Sequence, residues 1–456
     1  MRLAELQGRS VAVWGLGQEG RAAWRVLRGR WPEQPFIVIG RDAERQAVLE
    51  ADDPLVSWRD ESEECLWHGI DVAIKSPGVP GTHPQIVRGR ESGVEMTSGT
   101  ALWFAEGLPG IKIVVTGTKG KSTTSSLIAH LLRARGLAVG LVGNVGVPLL
   151  DVIAPQLAPA VWVIELSSYQ TADAGSADVA AVLNLYPEHL DWHGDVERYY
   201  ADKLRVVTHG NPRCVVLNHA DEHLRALGEA RRGVRWFGDP ESWHEVDGQL
   251  RMGRAGAVEV AGFPLPGRHN LHNLAAALTS VEAAGFDPRP QLGSLARFQA
   301  LPHRLQTLGE RDGVRFVNDS ISTTPHASVA ALSCFPDDPV AIIVGGFDRG
   351  VRWDAFVGHL RAHPVRHVSA LGAHGAKIAA MIRQALPGQS VSEDPDLAAA
   401  CASAAKALPH GGALLLSPGA PSYGMFRDHV ERGESFARLV GCGDAVGGGI
   451  GGLGIR

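Results

Sequence analysis

Residues 111–124 read Ile111-Lys-Ile-Val-Val115-Thr116-Gly117-Thr118-Lys119-Gly120-Lys121-Ser122-Thr123-Thr124. The first five, rich in β-branched side chains, predict a short buried strand, and Thr124-Ser-Ser-Leu-Ile-Ala-His130 predicts a helix. Between them, glycines and lysines predict a turn whose backbone N–H groups form an anion-binding nest at a helix start. Lys121 is spaced to reach the β/γ-phosphates of a nucleotide, and the Ser122 hydroxyl to hold Mg²⁺. Val115 stands where the general phosphate-loop pattern begins with glycine. Strand, nest, Lys-Ser and helix nevertheless come in the order that a nucleotide site needs.

The same alternation extends in both directions. Ser10-Val-Ala-Val-Trp14, Phe36-Ile-Val-Ile39, Val72-Ala-Ile-Lys75, Val161-Trp-Val-Ile164 and Ala341-Ile-Ile-Val344 each precede a helical pattern. Strands alternating with helices predict parallel βαβ units, hence an α/β fold. Breaks at Ala105–Gly110 and at Leu301-Pro-His303 divide it into three domains, as do 456 residues at about 150 per domain. The expected division is 1–106, 107–300 and 301–442, followed by a glycine-rich tail, 443–456, expected to be disordered.

Composition narrows the function. Lys+Arg 44 against Asp+Glu 49 leaves a formal charge of -5, which gives no footprint for nucleic acid or an anionic membrane. Five scattered cysteines form no CxxC pair, so neither a disulfide framework nor a zinc site is expected. The start has no apolar targeting core and no run reaches membrane-spanning length, so a cytoplasmic protein without membrane insertion is expected.

Three further stretches carry chemistry. Gly15-Leu16-Gly17-Gln18-Glu19-Gly20 follows a strand and matches G-x-G-x-x-G, with Asp42 where a ribose-binding acid belongs. Glu165, in Ile164-Glu-Leu-Ser167-Ser168-Tyr-Gln170, ends a strand where an ATPase needs a Mg²⁺ ligand. Asn184-Leu-Tyr-Pro-Glu188-His189-Leu-Asp191-Trp-His193 gathers acids and histidines, and a helix after it carries Lys203, which by itself reads as a solvated surface lysine.

Together with Gly143-Asn144-Val-Gly146, Gly267-Arg-His-Asn270-Leu-His-Asn273, Pro302-His303-Arg304, Asn318-Asp319-Ser320 and Leu416-Ser-Pro418, these stretches resemble the Mur ligase family of ATP-dependent amide ligases. The resemblance spans the chain, and Gly15–Gly20 with Ser76-Pro-Gly78 is most similar to its glutamate-adding members. It implies an N-terminal Rossmann-like domain, a central P-loop ATPase-like parallel sheet and a C-terminal Rossmann-like domain. The first domain would hold the uridine diphosphate of UDP-N-acetylmuramoyl-L-alanine, through Gly15, Leu16, Gly17, Gln18, Ser76 and Gly78, with Asn144 and Ser167 from the second.

The resemblance also assigns ATP to Gly117, Thr118, Lys119, Gly120, Lys121, Ser122 and Thr123, with Asn270 and Asn273 at the adenine and Arg304 and Asp319 nearby. One Mg²⁺ would sit on Ser122 and Glu165. A second would sit on His189 and Lys203, the lysine being N6-carboxylated in relatives. Lys121, Lys203, His189 and Glu165 are then the expected catalytic set, acting in a monomer on small-molecule substrates. The glutamate would meet Thr323, Arg349, Ser422, Tyr423 and His429 as the third domain closes.

The third domain departs from D-glutamate-adding relatives. Ile321 stands where they carry a lysine, Arg349 replaces a second lysine, and His429 an aromatic residue. Lys and Arg clamp carboxylates differently. Ile321-Ser-Thr-Thr with Asp348-Arg349 resembles the branch that adds L-glutamate, so L-glutamate is expected and D-glutamate is the alternative. A folylpolyglutamate-type ligase or an NAD-dependent oxidoreductase is more remote, the former because such enzymes lack the first domain.

Overall fold

A computed structural model describes residues 1–41, 45, 53–145, 147–154, 158–299, 301–336, 338–348, 350–443 and 454–455. Asp42, Gly146 and Arg349 lie outside the described residues. The chain divides into two compact units, one of Met1–Val260, Leu271–Leu295 and the last residues, the other of Ala261–Asn270 and Ala296–Gly451.

The first unit contains two parallel sheets. One has the order β3-β2-β1-β4-β5, from β1 (Val11–Trp14), β2 (Phe36–Gly40), β3 (Val56–Asp60), β4 (Val72–Lys75) and β5 (Glu95–Thr97). The other is built on β6 (Ile111–Thr116), β7 (Val139–Gly143), β8 (Val161–Glu165), β9 (Val179–Val182), β10 (Cys214–Asn218) and β11 (Val234–Phe237), ordered β11-β10-β9-β6-β8-β7. Strands β7, β8 and β9 are buried throughout, as the continuous apolar runs of a sheet covered on both faces require. A small antiparallel sheet follows in β12 (Trp243–Val246), β13 (Gln249–Met252) and β14 (Ala255–Ala257).

One apolar cluster joins the first two sheets, including Trp103 and Trp162, whose rings meet edge to face at 5.1 Å. Of the glycine-rich tail, residues 444–453 and 456 lie outside the described residues. Gly454–Ile455, expected to be disordered, instead pairs antiparallel with β7. An edge strand offers a row of unpaired N–H and C=O groups, and a short terminal segment can satisfy them.

The second unit has a six-stranded sheet, ordered β15-β16-β20-β17-β18-β19. Its strands are β15 (Gln306–Arg311), β16 (Val314–Asn318), β17 (Val340–Gly345), β18 (His367–Leu371), β19 (Val391–Asp394) and β20 (Gly412–Leu416). β16 pairs antiparallel with β15, and the remaining pairs are parallel. No helix among the described residues is long and apolar enough to cross a membrane.

Candidate active site

Strand β6 lies between β8 and β9, so the loop leaving it opens beside the carboxylate that ends β8. The loop needs its glycines. Gly117 has φ 148° and Gly120 φ 83°, a left-handed conformation; a Cβ on Gly120 would fall 2.2 Å from Asn273 Oδ1. Gly120, which has no side chain to cap with, precedes helix Lys121–Ala134. The N–H groups at such a helix start attract an anion, reinforced by the helix dipole.

The loop is fixed from below. Thr118 Oγ1 lies 2.9 Å from the Tyr199 hydroxyl and accepts from Tyr186 N at 3.0 Å, while Asn184 Oδ1 accepts from Lys119 N at 2.8 Å. Lys121 Nζ folds back to donate to the carbonyls of Gly117 and Thr118, both at 3.0 Å. Lys119 pairs with Glu188 at 2.5 Å.

Glu165 is fully buried at the end of β8. Its Oε1 accepts from Asn144 Nδ2 at 2.7 Å, and Asn144 N also donates to the Glu165 carbonyl at 2.8 Å. Oε2 has no hydrogen-bond partner among the described residues. A buried carboxylate oxygen held this way is costly without a cation, so Glu165 fits a divalent ion.

Lys203 is not a surface residue. It is 1% exposed, because helix Val196–Thr208 turns Tyr199, Lys203, Val206 and Val207 to one buried face. Its Nζ donates to the Gly117 carbonyl at 3.0 Å and lies 5.0 Å from the centre of the Tyr199 ring. Burial, helped by the charge of Lys121, lowers its pKa to about 6, against the opposing pull of Glu188 and Glu165. The amine is thus neutral near pH 7. His189 is half exposed, with φ 56° and Nε2 3.8 Å from Glu188 Oε2.

The groups that tie this site together carry no motif of their own in the sequence. His193 is enclosed, with Nδ1 2.9 Å from Asp202 Oδ2 and Nε2 3.0 Å from Ser168 Oγ. It thereby links the stretch after Glu165 to the helix bearing Lys203. Its place two residues beyond Asp191 gave a weak signal; Asp202 gave none beyond adjoining Lys203.

In the first sheet, Gly15 has φ 85°, Ser76 Oγ donates to the Gly15 carbonyl at 3.0 Å, and a Cβ on Gly20 would fall 1.8 Å from that same carbonyl. Leu16 is buried, while Gln18 and Gly78 are exposed. Ser167 Oγ donates to Gln170 Oε1 at 2.9 Å, and Gln170 Nε2 donates to Glu19 Oε1 at 3.1 Å. Gln170 thus joins the Ser167 turn to the glycine fingerprint.

In the second unit, Asp319 accepts from Ser322 Oγ at 2.5 Å, from Ser417 Oγ at 2.8 Å and from Leu305 N at 3.1 Å. Burial raises its pKa, and those bonds and the charge of Arg304 act against the rise. Ser422 is buried and Thr323 exposed; the exposed Tyr423 ring meets Phe347 edge to face at 6.3 Å. His429 faces His303 at 6.0 Å, and burial lowers the pKa of both imidazoles. Asn270 Nδ2 donates to the Pro266 carbonyl at 2.7 Å.

Comparison with known proteins bears on the family and the fold. Residues 115–281 match the Mur ligase middle domain. A UDP-N-acetylmuramoyl-L-alanine–L-glutamate ligase from Xanthomonas campestris pv. campestris is 45% identical over all of both chains. One of the same name from Micromonospora sp. is 40% identical over 96% of this chain and 98% of its own. Among solved structures, UDP-N-acetylmuramate-alanine ligase MurC from Thermotoga maritima shares the fold, with TM-score 0.58 and 19% identity over 95% of this chain and 99% of its own. MurF ligase from Thermotoga maritima, solved with ADP, has TM-score 0.57 and 18% identity over 91% and 95%. The chain belongs to the Mur ligase family.

Proposed function

We propose that this chain is an ATP-dependent amide ligase of peptidoglycan biosynthesis that joins L-glutamate to UDP-N-acetylmuramoyl-L-alanine in the cytoplasm. The observation that carries the ATP-dependent step is the glycine-led start of helix Lys121–Ala134, after the strand beside the buried, half-unsatisfied carboxylate of Glu165. The choice of L-glutamate rests on the 45% identical relatives of that name and on the Ile321-Ser-Thr-Thr and Asp348-Arg349 pattern.

In this reading the muramoyl-alanine carboxylate attacks the γ-phosphorus of ATP, giving an acyl phosphate and ADP. The glutamate amine then adds to the acyl carbon and phosphate leaves. The N–H groups at the helix start and the Lys121 side chain hold the phosphates, and Asn144 keeps Glu165 turned. Ser122 and Glu165 would hold one Mg²⁺, and His189 with an N6-carboxylated Lys203 a second. Such ions offset charge on the phosphoryl group in flight. The buried Lys203 supports this, since an uncharged amine can add CO₂ with loss of a proton. Asn270, Asn273, Arg304 and Asp319 are assigned to ATP. Gly15–Gln18, Ser76, Gly78 and Ser167 are assigned to the UDP substrate, and Thr323, Arg349, Ser422, Tyr423 and His429 to the glutamate. On this reading residues 1–106, 107–300 and 301–442 serve the sugar nucleotide, ATP and the amino acid in turn.

The test supplies ATP, Mg²⁺ and UDP-muramoyl-L-alanine, then one glutamate enantiomer. L-Glutamate should give phosphate at least tenfold faster than D-glutamate. Equal or reversed rates would reject the stereochemical assignment, and phosphate release that ignores the muramoyl acceptor would reject the ligase.

A further inference from the structure

A buried cation in the second unit has no part in the reading above. Arg432, on helix His429–Leu439, is fully enclosed. Its Nε donates to Ser320 Oγ at 3.1 Å, Nη2 to the Ser320 carbonyl at 2.7 Å, and Nη1 to the Ala420 carbonyl at 3.0 Å. All three acceptors are neutral, and no carboxylate pairs with Arg432 among the described residues. The acids around it are otherwise engaged. Asp319 is taken by Ser322, Ser417 and Leu305 N, Asp428 caps its helix through Glu431 N, and Glu431 accepts from Arg427 N. Burial lowers the guanidinium only to about 10, so it remains charged.

Its position is as telling as its charge. Ser320 follows β16 and Ala420 follows β20; a Cβ on Gly346, just after β17, would fall 3.2 Å from Nη1. The three loops are laced together, with Asp319 N donating to the Leu416 carbonyl, Gly345 N to Pro418 and Phe347 N to Pro421. They leave the carboxyl ends of three neighbouring strands, where open α/β sheets take their ligands. Enclosing a guanidinium without an anion is unfavourable, and arginine is rarely buried unpaired. An anion arriving over these loops would relieve that cost.

We propose that Arg432 is a positioning residue for the incoming amino acid. Its fixed charge beneath the loops of Ser320, Gly346 and Ala420 favours an amine whose side chain carries a second carboxylate. The inference rests on the glutamate reading and deepens it. Glutamine has the length and shape of glutamate but a neutral amide in place of that carboxylate, so the ratio of their kcat/KM values reports the effect, whereas a purely structural role would not move it.

Arg432→Met and Arg432→Lys are compared with the unaltered enzyme, using ATP, UDP-muramoyl-L-alanine and either L-glutamate or L-glutamine. Arg432→Met should raise the KM for glutamate at least tenfold with the KM for ATP within twofold. It should also lower the glutamate-to-glutamine ratio at least tenfold. Arg432→Lys keeps the charge and should hold that ratio within threefold. All KM values rising in parallel, or a Met variant with an unchanged ratio, would overturn the proposal. Should Arg432→Met not fold, Arg432→Lys decides, because a ratio that collapses despite the retained charge overturns it as well. An unaltered enzyme that accepts neither amine would instead contradict the functional reading, so the two failures are distinct.

Discussion

Lys203 shows how one side chain changes meaning when its surroundings are known. A lysine four residues after Tyr199 and three before Val206 sits on the apolar face of an amphipathic helix, and the structure encloses it there. That periodicity was present in the sequence, but its long, charged side chain reads as solvated until the packing against Gly117 is seen. Arg432 repeats the pattern, four residues before the buried Phe436 on its helix. Charged residues at buried positions are where residue type and helical period conflict, and both such conflicts fall at a proposed site. Replacing Lys203 by Ala should lower kcat at least a hundredfold, with part of the rate restored by added acetate or formate. A variant that keeps near-full turnover would remove the lysine from the mechanism.

At the scale of single elements, the loop from β6 into helix Lys121–Ala134 was legible almost in full, because glycine spacing and helix starts are local signals. Glycine at 120 combines a left-handed φ with close approach of Asn273. Gly120→Ala should therefore weaken ATP binding at least tenfold and cost about 1–3 kcal/mol in stability. Isothermal titration and urea unfolding read the two effects separately. What no local signal supplied was the pairing of elements far apart in sequence. Gln170 reaching Glu19, and His193 joining Ser168 to Asp202, depend on the sheet order that brings those segments together.

At the scale of the whole molecule, alternation of strands and helices predicted the α/β architecture, and the parallel sheets follow it. The pairing of Gly454–Ile455 with β7 was not legible, since a glycine-rich tail has no pattern of its own and borrows one from a strand edge. The union of the first two sheets was equally hidden, and Glu19 lies within it. Burial, then the charge of Asp151, raises its pKa to about 7 from 4.5, while the bond from Gln170 acts the other way. An acid whose folded pKa is raised favours folding below pH 4.5, and that advantage is lost as pH rises through 7. A shift of this size corresponds to about 3 kcal/mol. Glu19→Gln should thus unfold at a higher urea concentration than the unaltered chain at pH 8, with the gap closing toward pH 4.5. A gap independent of pH would refute that origin.

In the proposed reaction ATP activates the muramoyl-alanine carboxylate before the amide forms, and an isotope label follows the oxygen that is transferred. UDP-muramoyl-L-alanine carrying ¹⁸O in both carboxylate oxygens is turned over with ATP and L-glutamate, and the released phosphate is analysed by mass spectrometry. Each phosphate should carry a single ¹⁸O and each new amide should retain the other. Phosphate free of label would contradict phosphoryl transfer to the carboxylate.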